Sequence, residues 1–420
     1  MTKSKKRGLP KKSPLVGKVR SLPRLAEMRA LDAASRREGT WAWAVGGAVR
    51  DALLSRKLID LDATVADSLD RIAKALERAG LGRLVPLSDS NPRAIRLAGK
   101  RTLDLVEAED GSLARDLARR DFTVNAMAVA LPSGELIDPH GGAADLRSGM
   151  LRMLSERNLE EDPLRTFRAA RFIATHGLVP DRETARACRR HAAGVAKAAP
   201  ERVAVELQRI LESSRSAPAL RWAEAHGLIE PALAPPRPPG RGFARALDPL
   251  DAPTIRRVAP GRRVVLRLAS LSAALGLEPG ETGAWLRRLR YGREIVGQVA
   301  RLRELVAAAV RASHDDDRWR WVREAGTTWE DALRLLVSRE PARRKTAAAL
   351  ASRARRGRRS PRIRGRDVLL WTAIEPGPRV GRLLAEAEVE VLRGRLTTRA
   401  QAREWLKSRA DDAGDLPPAG

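Results

Sequence analysis

The chain reads Trp41-Ala42-Trp43-Ala44-Val45-Gly46-Gly47-Ala48-Val49-Arg50-Asp51 and, a short way on, Ile59-Asp60-Leu61-Asp62-Ala63-Thr64-Val65. The first run predicts a strand over Trp41–Val45, a turn at Gly46-Gly47 and a helix over Ala48–Leu54. Glycines between a strand and a helix let backbone approach a phosphate, and the helix N-terminus supplies unpaired amides. An ordinary tight turn uses the same residues. Arg50 falls in the first helical turns, where it can reach a triphosphate or simply face water. The second run alternates as a strand, so Asp60 and Asp62 project from one face, two rises of about 3.3 Å apart. Two carboxylates so placed can share divalent ions that bridge a triphosphate and an attacking hydroxyl. A solvated strand face is the plain alternative, although neighbouring like charges repel and Asp is a poor strand former. A third acid, Asp104, sits in a second predicted strand, Thr102–Val106.

Further along, Asp116-Leu117-Ala118-Arg119-Arg120-Asp121-Phe122-Thr123-Val124-Asn125-Ala126-Met127 sets charges among apolar residues. This is either a buried salt-bridge knot, or Arg120 grips phosphate while Asp121 holds a sugar hydroxyl. The whole chain has 420 residues and a formal net charge of +28, with only 12 lysines against a large arginine excess. Heavy Arg and Ala use fits a GC-rich coding bias, yet so large an excess opposes compaction unless a polyanion offsets it. A nucleic-acid partner is the expectation. No apolar run is long enough to span a bilayer, so no membrane segment is expected. Cys188 is the single cysteine, which excludes an internal disulfide framework and a multi-cysteine zinc site and points to the cytoplasm.

The ordered blocks Gly46-Gly47-Ala48-Val49-Arg50-Asp51, Asp60-Leu61-Asp62 and Arg119-Arg120-Asp121-Phe122-Thr123-Val124-Asn125-Ala126 closely resemble class II template-independent RNA nucleotidyltransferases. These are the tRNA CCA-adding enzymes and bacterial poly(A) polymerases of the polymerase-β-like superfamily. The resemblance continues through Asp138–Leu146, Glu161-Asp162-Pro163-Leu164-Arg165-Thr166-Phe167-Arg168-Ala169-Ala170-Arg171-Phe172 and Glu201-Arg202-Val203, covering residues 40–230 in register. It implies an α+β fold: a nucleotidyltransferase palm of mixed sheet and helices, followed by all-α neck, body and tail domains. It implies that Gly46, Gly47 and Arg50 hold the incoming triphosphate and that Asp60 and Asp62 bind Mg2+, with Asp104 as a third catalytic carboxylate. Arg120, Asp121 and Asn125 would bind nucleotide, the latter two near the ribose. Asp162, Arg165, Arg168 and Arg171 would form the base-facing and phosphate-facing helix. The implied partners are tRNA, through its acceptor arm and 3′ end, with CTP and ATP.

Asp162 and Arg165 can be read in two ways. Asp162 before Pro163 is a good helix N-cap, and Arg165 can simply pair with it. As a base reader, an Arg donor fork beside an Asp acceptor complements the pairing edges of cytosine and adenine. Uracil and guanine present the opposite polarity and would leave charged groups unpaired.

The expected organisation is a basic, disordered arm over 1–37, a palm over 38–150, a neck over 151–230, a body over 231–350 and a tail over 351–412. Residues 1–26 carry nine basic residues and no acid. Long helices are expected at Leu159–Thr175 and Glu201–Glu212 and through the body, broken at Pro231–Pro239, Pro249–Pro260 and Arg353–Arg366. Trp319, Trp321 and Trp329 are expected to pack rather than stack on bases. His314-Asp315 lacks the further spaced ligands of a metal phosphohydrolase. The segment from Glu109 to Arg115 is short where full CCA-adding relatives carry a longer flexible loop, which resembles members adding only CC. A poly(A) polymerase acting on other RNAs, and a non-catalytic RNA-binding protein on the same fold, are the alternatives to a tRNA nucleotidyltransferase.

Overall fold

The computed structural model describes residues 14–86, 93–357 and 363–412. They fall into two compact units, one running to Ala198 and including Ala225–Pro231, the other comprising Ala199–Glu224 and the chain from Ala232 onward.

The first unit opens with helices α1 (Pro14–Val19) and α2 (Ala26–Arg37). The disordered arm expected over 1–37 therefore does not hold from residue 14 on. Val19, Leu22, Met28 and Leu31 are fully buried, and Glu27 pairs with Arg101 at 3.0 Å. Met28 and Leu31, three apart, share one face of α2, a signal that the density of basic residues conceals. Residues 1–13 lie outside the described residues.

Next come β1 (Ala42–Val45), α3 (Gly46–Leu53), β2 (Asp60–Val65), α4 (Leu69–Arg78), β3 (Arg83–Pro86), β4 (Ala94–Ala98) and β5 (Thr102–Glu107). Helix α5 (Leu113–Ala118), β6 (Ala128–Ala130), β7 (Leu136–Ile137) and α6 (Gly142–Ser148) complete this layer. The seven strands form one mixed sheet in the order β3-β4-β5-β2-β1-β6-β7. Only the β2–β5 pairing within it is parallel. Helix α4 buries Leu69, Ile72, Ala73 and Leu76, the i, i+3, i+4, i+7 stripe of a helix packed on a core. The α+β palm expected from the sequence is the observed architecture.

Strand β8 (Met150–Leu151) pairs with β9 (Val179–Pro180), bracketing helices α7 (Glu156–Glu161) and α8 (Leu164–His176); α9 (Arg182–Arg190) follows. The single helix expected over Leu159–Thr175 is thus two, divided at Asp162-Pro163. Proline disfavours the α conformation in the residue before it, and Asp162 has φ −134° and ψ 87°.

The second unit is helical among its described residues, including Pro200–Glu212, Pro260–Ala274, Pro279–Arg288, Arg293–Arg311 and Trp329–Arg339. Trp319, Trp321 and Trp329 are buried as packing residues. The break expected at Arg353–Arg366 is displaced, since helix Arg344–Gly357 runs through Arg353 and Arg355; residues 358–362 lie outside the described residues. The interval Pro249–Pro260 likewise carries a short helix at Pro253–Arg256.

Arg267 fastens this unit from within. It is fully buried and donates to the Leu250 carbonyl at 2.7 Å, the Leu211 carbonyl at 2.6 Å, the Ser213 carbonyl and Asp251 Oδ1 at 2.9 Å. Burial pulls its pKa down to about 10, which leaves it charged at neutral pH. Arg267→Met would strand several acceptors and one carboxylate. The expected loss is about 3–5 kcal/mol, as for breaking a buried ion pair from one side. Urea unfolding followed by tryptophan fluorescence checks this, and an unchanged midpoint would contradict it.

Candidate active site

The sheet brings Asp62 to the turn between β1 and α3. The Gly47 amide donates to Asp62 Oδ2 at 3.0 Å. This contact requires glycine: a Cβ on Gly47 would stand 2.7 Å from Asp62 Oδ2. Gly46 has φ +60°, and a Cβ there would meet Arg120 Nη1 at 2.5 Å. The two glycines therefore let one guanidinium and one carboxylate close on the backbone, leaving α3 to begin directly from the strand.

Asp62 and Asp104 are register partners on the parallel strands β2 and β5, so their side chains share a face. The Asp62 carboxyl is raised above its ordinary range, first by desolvation and further by the charge of Asp104, against the pull of Arg120 and Arg50. Asp60, two residues earlier on the same face, is exposed at the start of β2. Asp104 is register partner to Arg96 on its other side. Arg96 Nε and Nη2 donate to Asp104 Oδ1 and Oδ2 at 2.7 and 2.8 Å. The structure carries Asp104 to the site but engages both of its oxygens. Among the described residues no group of three or more His, Cys, Asp or Glu side chains is arranged to hold a metal ion. The oxygen donors of Asp60 and Asp62 suit a hard divalent cation, and the crowded negative charge on Asp62 is what such a cation would relieve.

Arg120 is held by two partners. Its Nη2 and Nε donate to Asp116 Oδ2 at 2.8 and 3.3 Å, and Nη1 to the Asn125 carbonyl at 3.3 Å. Asp116 also accepts from Thr64 Oγ1 at 3.3 Å, which links this arginine back to β2. Arg50 is nearly buried and donates to Asn125 Oδ1 at 2.6 Å and to Asp51 Oδ1 at 2.9 Å. It also lies 5.4 Å from the Phe172 ring centroid. Asn125 in turn donates to Asp121 Oδ1 at 2.8 Å, which also accepts from the Phe122 amide. The other Asp121 oxygen faces Arg168 Nη2 at 2.9 Å. Desolvation alone would raise the Asp121 pKa; Arg168, the Asn125 hydrogen bond and Arg171 outweigh it and hold the carboxyl below its usual range. In this arrangement Asp121 is a buried hub that fixes Asn125 and Arg168, rather than an open acceptor.

Helix α8 lies along this network. Arg171 stacks on Phe172 at 4.4 Å. Arg165 donates from Nη1 to the Asn158 carbonyl at 2.9 Å, and its Nε stands 3.8 Å from Asp162 Oδ2. Pro163, not Asp162, occupies the N-cap of α8, and no side-chain cap is made there. Asn158 donates to the carbonyls of Ala118 and Arg120 at 2.8 and 2.7 Å, tying α7 to the arginine block. His176, at the end of α8, sits 3.5 Å from Asp51. Burial holds its pKa down at about 4, so it is neutral at neutral pH.

Sequence reading missed Arg96, Thr64, Asp116 and Asn158. Asp116 precedes Arg120 by four residues, an ion-pair spacing that signals it; the other three depend on long-range pairing and carry no local signal.

The close approach at Gly47 has a direct test. Gly47→Ala is expected to displace Asp62 and weaken CTP binding by about tenfold or more, the scale of one lost charge-assisted hydrogen bond. Calorimetric titration of CTP checks it, with far-UV circular dichroism to establish that the fold persists. Binding of wild-type strength would contradict it.

The family described as the Poly A polymerase head domain matches residues 94–152, and that described as the probable RNA and SrmB-binding site of polymerase A matches residues 177–236. A CC-adding tRNA nucleotidyltransferase of Geobacter sulfurreducens is 30% identical, covering 89% of this chain and 93% of its own. An A-adding tRNA nucleotidyltransferase of Deinococcus radiodurans is 32% identical, covering 88% and 95%. The solved structure of the Thermotoga maritima CCA-adding enzyme complexed with tRNA shares the fold, with a TM-score of 0.71 at 21% identity over 94% of this chain and 98% of that one. With a curated relative matched at this identity along most of both lengths, the chain belongs to the tRNA nucleotidyltransferase and poly(A) polymerase family.

Proposed function

We propose that this protein transfers CMP or AMP from CTP or ATP to the 3′ end of tRNA and releases pyrophosphate. The observation that carries the reading is the joining, within one unit, of the Gly46-Gly47 turn, the Asp60–Asp62 strand face and the Arg50 and Arg120 guanidiniums. Triphosphate would lie over the turn, with Arg50 and Arg120 countering its charge and that of the departing pyrophosphate. Arg171 adds positive charge from α8. Asp60 and Asp62 would hold Mg2+, which when bound supplies Lewis-acid activation at the α-phosphate. Both arginines are locked by carboxylates and Asn125 before substrate arrives, so little reorganisation is needed as charge develops.

Asp162 and Arg165 are assigned to base selection. Arg165 Nε stands 3.8 Å from Asp162 Oδ2 with both side chains partly exposed, the Arg fork beside an Asp acceptor that base reading needs. Residues 38–150 form the palm in this reading, 151–230 the neck, 231–350 the body and 351–412 the tail. The helical parts would grip the tRNA acceptor arm by backbone shape, as duplex RNA demands. The reaction belongs to the cytoplasm, where tRNA and nucleoside triphosphates meet; no described helix is long and apolar enough to cross a membrane.

A specific observation favours addition of CC alone. Between β5 and α5 lie only Ala108, a 3-10 turn at Glu109–Gly111 and the capping Ser112. Its acids Asp110 and Glu109 pair at the surface with Arg115 and Arg119. Such a segment has little chain with which to reshape a nucleotide pocket after two cytidines are in place. The G. sulfurreducens relative is named for CC addition.

The test is to incubate tRNA lacking its 3′ end with all four nucleotides and Mg2+, then size and sequence the product. Two added cytidines are expected, with none from Asp62→Ala, and UTP or GTP incorporated by Asp162→Asn. Three residues would correct the CC assignment, long A tails would favour a poly(A) polymerase, and no product from wild type would overturn the reading.

A further inference from the structure

Arg96 has no part in the reaction described above, yet it stands in the same row of the sheet as the reacting face. Three register partners lie side by side: Asp62 on β2, Asp104 on β5 and Arg96 on β4. Two carboxylates placed directly opposite one another destabilise a strand pair. The Arg96 fork meets the second of them with two parallel hydrogen bonds of 2.7 and 2.8 Å, the geometry in which guanidinium and carboxylate match best. The Asp104 hydrogen bonds raise the Arg96 pKa against the opposing effect of desolvation, helped by the charges of Asp104, Asp60 and Asp62. The exposure of the two side chains is 45% for Arg96 and 22% for Asp104, so a small cation has access to this row from solvent.

We infer that Arg96 is a positioning residue that withdraws Asp104 from the metal-ligand set, leaving a divalent-cation site of two carboxylates, Asp60 and Asp62. The inference rests on the metal-dependent reading of that face and adds to it the division of labour among its three acids. A carboxylate whose charge is already met by a bidentate guanidinium offers less negative charge to a cation. The Arg96–Asp104 pair has no net charge. It walls the site on the β4 side and stops Asp104 from competing for the ion. The positive charge of Arg96 also lowers the attraction of the face for a cation, which suits a site that is completed by a triphosphate rather than closed by protein ligands alone.

Binding of Mn2+ to the full chain, without nucleotide or tRNA, provides the readout; free ion is measured by electron paramagnetic resonance. Arg96→Gln removes the charge and loosens Asp104, and is expected to tighten Mn2+ binding about tenfold, since affinity rises with the number of charged ligands. The near-isosteric double variant Arg96→Gln/Asp104→Asn removes a neutral pair and keeps a hydrogen-bonded one, so its affinity is expected to stay within about threefold of wild type. Loss of binding in that double variant, to the level of Asp62→Asn, would make Asp104 a ligand and overturn the inference. Unchanged or weaker binding in Arg96→Gln would do the same. If Asp60→Asn and Asp62→Asn instead bind Mn2+ as wild type does, the metal face itself is misassigned, a different failure. Circular dichroism on each variant separates loss of binding from loss of fold, and the double variant retains packing on β4 and β5.

Discussion

Like charges crowded on one strand face impose the constraint around which this palm is arranged. Asp60, Asp62 and Asp104 share one side of two parallel strands, and nothing about sheet formation favours that placement. The molecule meets the cost locally. A backbone amide from Gly47 binds Asp62, and a guanidinium from the neighbouring strand binds Asp104. Only Asp60 stands exposed at the open end of β2. The charge that remains is concentrated where the turn between β1 and α3 brings the backbone closest.

Beside that row a second set of polar contacts begins on the same strand. Thr64, two residues beyond Asp62, reaches Asp116, and Asp116 holds Arg120 over Gly46. The Asn125 carbonyl accepts from the same arginine while its side chain binds Arg50 and Asp121. Asp121 then engages Arg168 on α8. A chain of polar contacts therefore connects β2, at Thr64, to the helix assigned to base reading. Each arginine in it is oriented by an acid that is itself oriented by another group. Such an arrangement fixes side chains more firmly than pairwise contacts do, and it suits selection of a nucleotide by protein groups alone.

Much of this was readable from the sequence, for identifiable reasons. Strand alternation puts Asp60 and Asp62 on one face because the side-chain period is two, and the paired glycines announce the close approach that follows. The spacing of Asp116 and Arg120 is a local helical signal. Arg96 carries none: in Ala94–Ala98 it resembles an ordinary solvent-facing strand residue, and its meaning depends on β4 pairing with β5 in one register. Asn158 acts through carbonyls nearly forty residues away in the chain. The N-terminal segment misled in the opposite direction. Its basic residues look like a disordered arm, while Val19, Leu22, Met28 and Leu31 are fully buried. Division of the neck at Asp162-Pro163 was signalled by the proline but masked by the apolar periodicity on either side.

In the proposed function the turn at Gly46-Gly47 and the strand face of Asp60 and Asp62 act as one site for a metal-bound triphosphate. Diffraction at the manganese absorption edge, from crystals grown with CTP and Mn2+, tests it most directly. The account requires an anomalous peak shared by the Asp60 and Asp62 carboxylates, with phosphate density over the glycine turn. A peak remote from both carboxylates, or a triphosphate bound away from Gly46 and Gly47, would contradict it.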